Sequence, residues 1–383
     1  MIRHTLPAQA YNKWTEVNLS ALKHNLQTLR AACARPQVQI MGIVKANAYS
    51  HNVSLIAPAL FEAGVRHFGV ATLGEALYLR ELCPKAEMIL ILGAQTLEQS
   101  QELLQQGFDF VLHTPADLPA LAHSARASGI RGQVHLKVDT GMGRVGMSPA
   151  EARQMLDQWR DTPELTLRGI CSHLATSDQR ESPLLQQQLS AFRELQQFFS
   201  AHPLAAQARP LFHLGNSDAV LQHPQTHFDM VRPGIALYGY SSTAAPLQPV
   251  LSVKARITQR KHLPTGHSLG YGATFITARP SQVGIVGIGY ADGVPRLLSN
   301  QQDVLIKGQR APIIGRISMD QLAVDLTDIQ GLDDLGDEAN PEVVLIGHSN
   351  GDSISAREWA NKLNTIPYEI LTGLGTRLPR YAV

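Results

Sequence analysis

The feature that most constrains this chain is a rhythm. From about residue 38 to 240, short apolar runs alternate with longer helical patterns. The runs are QIMGIVKA (39–46), HFGVAT (67–72), MILILG (88–93), FDFVLH (108–113), VHLKVDT (134–140), LRGICSHL (167–174), PLFHLGNS (210–217) and HFDMVRPG (227–234). Between them lie helical stretches such as LEQSQELLQQG and ADLPALAHSARASG. Strand-sized apolar runs separated by helices of about ten or more residues form βα units on a parallel sheet. Eight such units is the count of a (β/α)8 barrel.

After Gly239 the texture changes. SSTAAPLQP reads as a linker, and the segments beyond it are β-rich: VLSVKARITQR, QVGIVGIGYADGV, DVLIKGQRAPIIGRISMDQLAVDLTDI and PEVVLIGHS. One helix, SAREWANKLN, is expected near the end. The expected fold is therefore α/β, with a (β/α)8 barrel over residues 1–240 and a mostly antiparallel β domain over 241–383. Within the N-terminal segment 1–20, the stretch YNKWTEVNLS could pair with either domain.

Composition narrows the function classes. A chain of 383 residues exceeds one ordinary core, so two domains are expected. The formal net charge is +1, with basic and acidic residues interspersed, which gives no support for a nucleic-acid or membrane partner. The N-terminal stretch MIRHTLPAQAYNKW lacks the apolar core of a secretory leader, and no run is long enough to span a bilayer. Cys33, Cys83 and Cys171 are widely spaced with no CxxC, and read as buried thiols in a reducing compartment. A soluble, cytoplasmic enzyme is expected.

Barrel enzymes place their chemistry at the C-terminal ends of the strands. Along that rim the sequence puts Lys45, Lys137, Arg144, His173, Ser217 and Arg232. Lys45 ends the apolar strand IMGIVK, so its amine should emerge at the barrel mouth; an ordinary solvated lysine is the alternative. In apolar surroundings a lysine loses basicity, which suits attack on an aldehyde. The loops HLGNSDAV (213–220) and VRPGIALYGY (231–240) fall in the quadrant where barrels often hold a phosphate, against which stands the reading of ordinary loop glycines and caps.

Several motifs, taken in order, then point to a family. VKANAY (44–49), RPGIALYG (232–239), GYGATF (270–275), GYADG (289–293), GRISMDQ (315–321) and PYEILTGLG (367–375) resemble the alanine racemases, pyridoxal-phosphate enzymes with a barrel and a C-terminal β domain. The resemblance covers the chain from residue 12 onward. It implies that Lys45 carries the cofactor and acts as one acid/base, and that Tyr271 is the second. It implies that His173 hydrogen-bonds the Tyr271 phenol and that Arg232 faces the pyridine nitrogen. Arg144 and the Met319 N–H would hold the substrate carboxylate. Lys137 matches a lysine that is carbamylated in members of the family, with an unmodified, salt-bridged lysine as the alternative. Tyr49, Asn216, Ser217, Gly234, Ile235 and Tyr368 map to the phosphate region, and Asp178, Tyr290, Arg296 and Ile366 to an entrance corridor that admits small side chains. The resemblance further implies a homodimer whose subunits share their sites, with alanine as substrate, D-alanine for peptidoglycan as the product supplied, and no metal.

The chain also departs from the family's pattern. The family usually reads KANAYGHG, and here Ser50 and Asn52 replace both glycines; Gly215 stands where alanine is usual. Other motifs compete. GMGRVG (141–146) matches the dinucleotide fingerprint but lies on the fifth βα unit rather than opening a Rossmann half. The histidines of HPQTHFD (223–229) lack a third nearby ligand. Two rivals stay open: a barrel enzyme acting on another amino acid (serine or broad-spectrum racemisation, or decarboxylation), and a non-enzymatic pyridoxal-phosphate carrier. Arg232 disfavours a decarboxylase, and Tyr271 with Met319 disfavours a carrier.

Overall fold

Capping and turn chemistry cut the first part of the chain into its units. Thr96 with Gln99 and Ser148 with Glu151 form reciprocal capping boxes at the starts of helices Leu97–Gln105 and Pro149–Trp159. Gly129 ends helix Leu118–Ser128 in a left-handed conformation. The structure, a computed structural model, describes residues 10–332 and 341–383. Residues 1–9 of the stretch read for a secretory leader lie outside the described residues.

The first strand, β1 (Lys13–Val17), is followed by the eight expected parallel strands. These are β2 (Gln39–Ile43), β3 (His67–Val70), β4 (Met88–Ile91), β5 (Asp109–Leu112), β6 (Gly132–Lys137), β7 (Leu165–Cys171), β8 (Leu211–His213) and β9 (Met230–Val231). Each pairs in parallel with its sequence neighbour, and β9 returns to β2 through Gln39↔Met230 and Ile40↔Val231, closing the barrel. Met41, Phe68, Leu90, Phe110, Leu136 and Ile170 on these strands are fully buried. The strands also bury polar side chains, namely Asp109, His135 and His213. Buried polar groups need partners, and these three are linked in series, Asp109 to His135 to His213, as described below.

The second unit is a nine-stranded sheet built around β10 (Leu251–Leu263). β10 pairs antiparallel with β1, with Ser281–Val286 and with Glu342–Ser349; β1 also pairs in parallel with Arg380–Ala382. By contact density this unit comprises the segment ending at Leu19, residues Tyr49–Asn52 and Pro249–Val383. The single late helix expected from sequence is joined by a second, so Ala356–Leu363 is followed by Pro367–Thr372, with Pro367 at the first helical position where its missing N–H costs nothing. No helix among the described residues is long and apolar enough to cross a membrane. Of the cysteines, Cys83 and Cys171 are buried, whereas Cys33 is only partly so.

Candidate active site

The barrel's C-terminal rim carries Lys45 directly after β2 and one residue of coil. Beyond it the backbone turns left-handed: Ala46, Asn47, Ala48, Tyr49 and Ser50 all have φ between 52° and 62°, and Asn52 has φ 72°. Such a run costs on the order of 1–2 kcal/mol per residue, so it persists only where its surroundings hold it. Here they do. The Glu75 carboxylate accepts from the Ala46 N–H at 2.7 Å and from the Ala71 N–H at 2.7 Å, tying the loop after β2 to the loop after β3. Asn47 Oδ1 accepts from the Val53 N–H at 2.9 Å. In the sheet unit, Ser50 Oγ donates to the Leu374 carbonyl at 3.3 Å, and the Ser50 carbonyl accepts from Arg380 Nε at 2.7 Å. Ser50 and Asn52, standing where the family has glycines, thus adopt the conformation glycine favours. Ser50 is held there by its hydroxyl.

The Lys45 amine is less basic than an ordinary lysine, first because of the protein packed around it and next because of the Arg144 cation, with Glu75 opposing. Arg144 is placed by a tight turn. Asp139 accepts from the N–H groups of Gly141, Met142 and Arg144 at 2.7–2.9 Å. Burial alone would raise that carboxyl's pKa, but the backbone donors outweigh it and lower it. The glycines of GMGRVG therefore wrap around an aspartate side chain, with Gly141 at φ 134° and Gly146 at φ 132°.

Lys137, at the end of β6, faces Cys171 across the ladder. Burial, then the Arg232 and Arg144 cations, push its pKa down to about 8. Among the described residues no carboxylate lies in an ion pair with Lys137; the nearest acidic influence on it is Asp139. Cys171 and Asp139 favour the charged form, but burial together with the two arginines outweighs them, so the amine holds its proton less tightly than an ordinary lysine.

Arg232, one residue past β9, is 5% exposed and locked in place. Its Nη1 donates to the His213 carbonyl at 2.7 Å and to His213 Nδ1 at 2.9 Å. Its Nη2 donates to the carbonyls of Ser172 at 2.6 Å and Leu214 at 3.2 Å, and lies 3.4 Å from His173 Nδ1. The Nε–H is left without a protein acceptor among the described residues. Because His213 Nδ1 accepts, its proton sits on Nε2, which donates to His135 Nδ1 at 2.9 Å. The His135 proton is then on Nε2, 3.5 Å from Asp109 Oδ1. Both rings are neutral, since burial lowers each pKa. A chain of rings thus crosses the barrel from Asp109 on β5 to Arg232. Gly169 on β7 makes room for it, because a Cβ there would lie 2.2 Å from His135 Nδ1.

His173 is neutral too. Burial first, then the cations of Arg232, Lys137, Arg144 and Lys45, hold it well below the usual imidazole value. Its loop is clamped by the fully buried Gln188, which donates to the His173 carbonyl and accepts from the Ala175 N–H, each at 2.9 Å. Asp178 lies exposed a few residues on. Opposite, Asn216 caps helix Ser217–Gln222 through the Ala219 N–H at 3.2 Å. Ser217 Oγ accepts from the Gly234 N–H at 2.9 Å and the Ala236 N–H at 3.2 Å, drawing together that helix start and the turn Ile235–Tyr238. The first-turn N–H groups of Ser217 and Ile235 have no intrahelical acceptor, so the pair of helix starts suits an anion.

These groups fit pyridoxal phosphate by their chemistry: an amine of lowered basicity for an aldehyde, paired helix starts for a phosphate, and an unclaimed guanidinium N–H for a ring nitrogen. Of the histidines of HPQTHFD, His227 has other work: its Nδ1 accepts from the Ala34 N–H at 2.9 Å.

The remaining sequence candidates belong to the sheet unit. Tyr271 opens the turn Tyr271–Ala273, held out by a two-strand hairpin, Ser268–Leu269 with Phe275–Ile276. Tyr271 is 71% exposed and lines a cavity of about 420 Å³ with Leu269, Arg316 and Ser318. Met319 is 52% exposed, and Ile366, Tyr290 and Tyr368 are exposed as well. Tyr49 is buried, its phenol pushed up to about 12 by burial, with its ring 6.1 Å from that of Tyr368. Arg296 starts a single turn, Arg296–Leu298. The GYADG loop is held by the fully buried Asp292, which pairs with Lys13 at 2.7 Å and Arg377 at 3.2 Å and accepts from the Gly289 N–H.

Sequence reasoning missed Glu75, Gln188, Asp292 and the Asp109–His135–His213 chain. Glu75 had a signal, the helix-start spacing Thr72-x-x-Glu75.

The fold and its rim define a (β/α)8-barrel protein with an appended β domain and a lysine-centred site at the barrel's C-terminal face. The chain belongs to the alanine racemase family. Residues 17–242 match the model of the alanine racemase N-terminal domain, and residues 250–382 that of the C-terminal domain. It is 39% identical over 374 residues to alanine racemase of Symbiobacterium thermophilum, covering 96% of each chain. To alanine racemase 2 of Caldanaerobacter subterraneus subsp. tengcongensis it is 38% identical over 371 residues, covering 95% of this chain and 93% of the relative. The crystal structure of alanine racemase from Bartonella henselae with covalently bound pyridoxal phosphate superposes with a TM-score of 0.86 at 31% identity, covering 98% of this chain and 100% of that one.

Proposed function

We propose that this chain interconverts L- and D-alanine with pyridoxal phosphate as cofactor, supplying D-alanine as a peptidoglycan precursor in the cytoplasm. The observation that carries this reading is the shared rim of Lys45, an amine of lowered basicity, and Arg232, a buried guanidinium presenting one unclaimed N–H. Lys45 would hold the cofactor covalently, the helix starts at Asn216–Ser217 and Gly234–Ile235 its phosphate together with Tyr49 and Tyr368, and Arg232 its ring nitrogen.

When bound, pyridoxal phosphate supplies the electron sink that makes the substrate's α-hydrogen acidic. Arg232 donates a hydrogen bond without giving up its proton, which moderates that sink and favours simple return of the proton. Arg144, oriented through Asp139, takes the substrate carboxylate. Lys45 Nζ removes or returns the proton on one face. Its lowered basicity leaves more of it as free amine at neutral pH, as a base needs.

The second face needs a second group, and Tyr271 Oη is its candidate. Among the described residues, every exposed large apolar side chain except Leu77 lies in the sheet unit, and five of them are site candidates: Tyr271, Tyr290, Met319, Ile366 and Tyr368. Exposed apolar patches of this kind mark partner surfaces. The chain therefore works as a homodimer, in which each copy lends Tyr271 and Met319 to the barrel of the other and Asp178, Tyr290, Arg296 and Ile366 narrow the approach to small amino acids. Neutral His173 can hydrogen-bond the incoming phenol. Lys137, as a carbamate, would neutralise and orient Arg144.

Incubating either alanine enantiomer with the enzyme in deuterated buffer tests the reading. Both should gain α-deuterium and lose optical rotation. A carrier would bind the cofactor and do neither, and faster turnover of serine than alanine would move the assignment to another racemase.

A further inference from the structure

The opposite end of the barrel carries a feature that the racemase reading leaves unused. Barrel chemistry sits at the C-terminal rim. Yet at the N-terminal mouth there is a cavity of about 480 Å³, lined where β2, β3, β4, β7 and β8 begin. Four arginines line it, Arg131, Arg160, Arg168 and Arg209, and no acidic residue does. In a chain whose net charge is only +1, that is a steep local concentration of positive charge.

Arg131, Arg160 and Arg209 are exposed. Neither the Arg131 nor the Arg160 side chain makes a hydrogen bond or ion pair among the described residues, so both guanidinium forks are available. The side-chain amide of Gln39, also in the lining, has its oxygen buried without a hydrogen-bond partner. Arg168, also in the lining, has its Nε 3.3 Å from Asp109, the residue that ends the histidine chain to Arg232.

We propose that this N-terminal cavity is a binding site for a small anion of two or more charges, phosphate- or carboxylate-bearing. Planar guanidinium groups recognise both oxyanion types by paired hydrogen bonds. The volume falls within the range of pockets that take small molecules. Arg168 is paired with Asp109 and Arg209 donates to the Ala205 and Ala208 carbonyls, but Arg131 and Arg160 are unpaired like charges in one concavity, and a multivalent anion relieves their repulsion where water and monovalent salt only screen it.

The test is calorimetric titration of the holoenzyme, with alanine saturating, at about 0.15 M ionic strength so that exposed charges are screened as in ordinary buffer. Pyrophosphate serves as the phosphate probe and citrate as the carboxylate probe. With cofactor and substrate in place, the phosphate and carboxylate positions of the C-terminal rim are already occupied. One saturable site per chain with Kd below about 1 mM is expected for at least one probe, and the tighter of the two identifies the ligand's chemistry. The Arg131→Ala/Arg160→Ala double variant should bind that probe about tenfold more weakly or worse, since it loses charge-assisted hydrogen bonds. Both residues are exposed, so the variant's thermal midpoint without anion should match the parent's. No saturation by either probe up to about 10 mM, or equal affinity in parent and double variant, would overturn the proposal.

Discussion

Replacing Lys137 by methionine should reveal what charge that position carries. An ammonium there has its pKa pushed down to about 8 by burial and by Arg232 and Arg144. Against the ordinary value of 10.5, holding it protonated costs about 3 kcal/mol. The folded state binds this proton less tightly than the unfolded chain does. The destabilisation is therefore complete below pH 8 and is relieved as pH rises from 8 toward 10.5. At pH 7.5 about a quarter of the amine would be neutral, compared with about 0.1% for a solvated lysine.

That neutral amine can attack carbon dioxide: an N–C bond forms, a proton leaves to solvent, and a cation becomes a carbamate anion facing two arginines. The two states give opposite signs for Lys137→Met. If Lys137 is an ammonium, the substitution removes a strained charge and stabilises the protein by on the order of 1–3 kcal/mol. If it is a carbamate, the substitution leaves two cations uncompensated and destabilises it by a similar amount. We expect destabilisation, measured by urea unfolding of the holoenzyme at pH 7.5 in bicarbonate, together with a carbamate resonance in carbon NMR after labelling with carbon-13 bicarbonate. A stabilised variant and no carbamate resonance would refute the reasoning.

Three further outcomes follow from the geometry. Ser50→Ala keeps the left-handed strain and loses the hydroxyl bond to Leu374, whose carbonyl still accepts from Arg380 Nη2 at 3.1 Å. It should cost about 1 kcal/mol in unfolding free energy. Ser50→Gly should be near neutral, because relief of strain offsets the lost bond and the looser unfolded chain; a glycine variant stabilised by more than about 1.5 kcal/mol would show that the hydroxyl contributes nothing. Glu75→Gln removes a carboxylate that holds the Lys45 pKa up, so the pH midpoint for reaction of the apoenzyme's Lys45 with a simple aldehyde should move to lower pH, and a rise would contradict the assignment. Gly169→Ala would drive a methyl into His135 and should cost on the order of 3 kcal/mol or more in stability; wild-type stability would show that the ring chain is not packed as described.

The barrel was legible because its signal is local and repeated: each short apolar run reads as a strand without reference to any other. Lys45, Arg232 and Tyr271 were legible through the motifs that enclose them. The ring chain was not. Asp109, His135 and His213 come from three strands, and each alone is an unremarkable polar residue on an apolar run; the chain they form reaches Arg232 just past a fourth. Only barrel closure brings them into line, and no spacing along the chain encodes that. Gln188 and Asp292 were hidden in the same way, one within a helix and the other serving a distant lysine and arginine. The left-handed turn after Lys45 was half visible. Asn52 suits such angles, but Ser50 does so only because Leu374 and Arg380 hold it. The second late helix was overlooked because six residues carry too little periodicity to register.

The most direct test of the account follows α-deuterium uptake, starting separately from L- and D-alanine, in Lys45→Ala and Tyr271→Phe. Loss of the amine should abolish the visible absorbance of bound cofactor and all exchange. Loss of the phenol hydroxyl should keep the absorbance while exchange collapses for one enantiomer only. If Tyr271→Phe exchanges both enantiomers at the parent rate, the two faces are not served by this amine and this phenol, and the proposed division of labour is wrong.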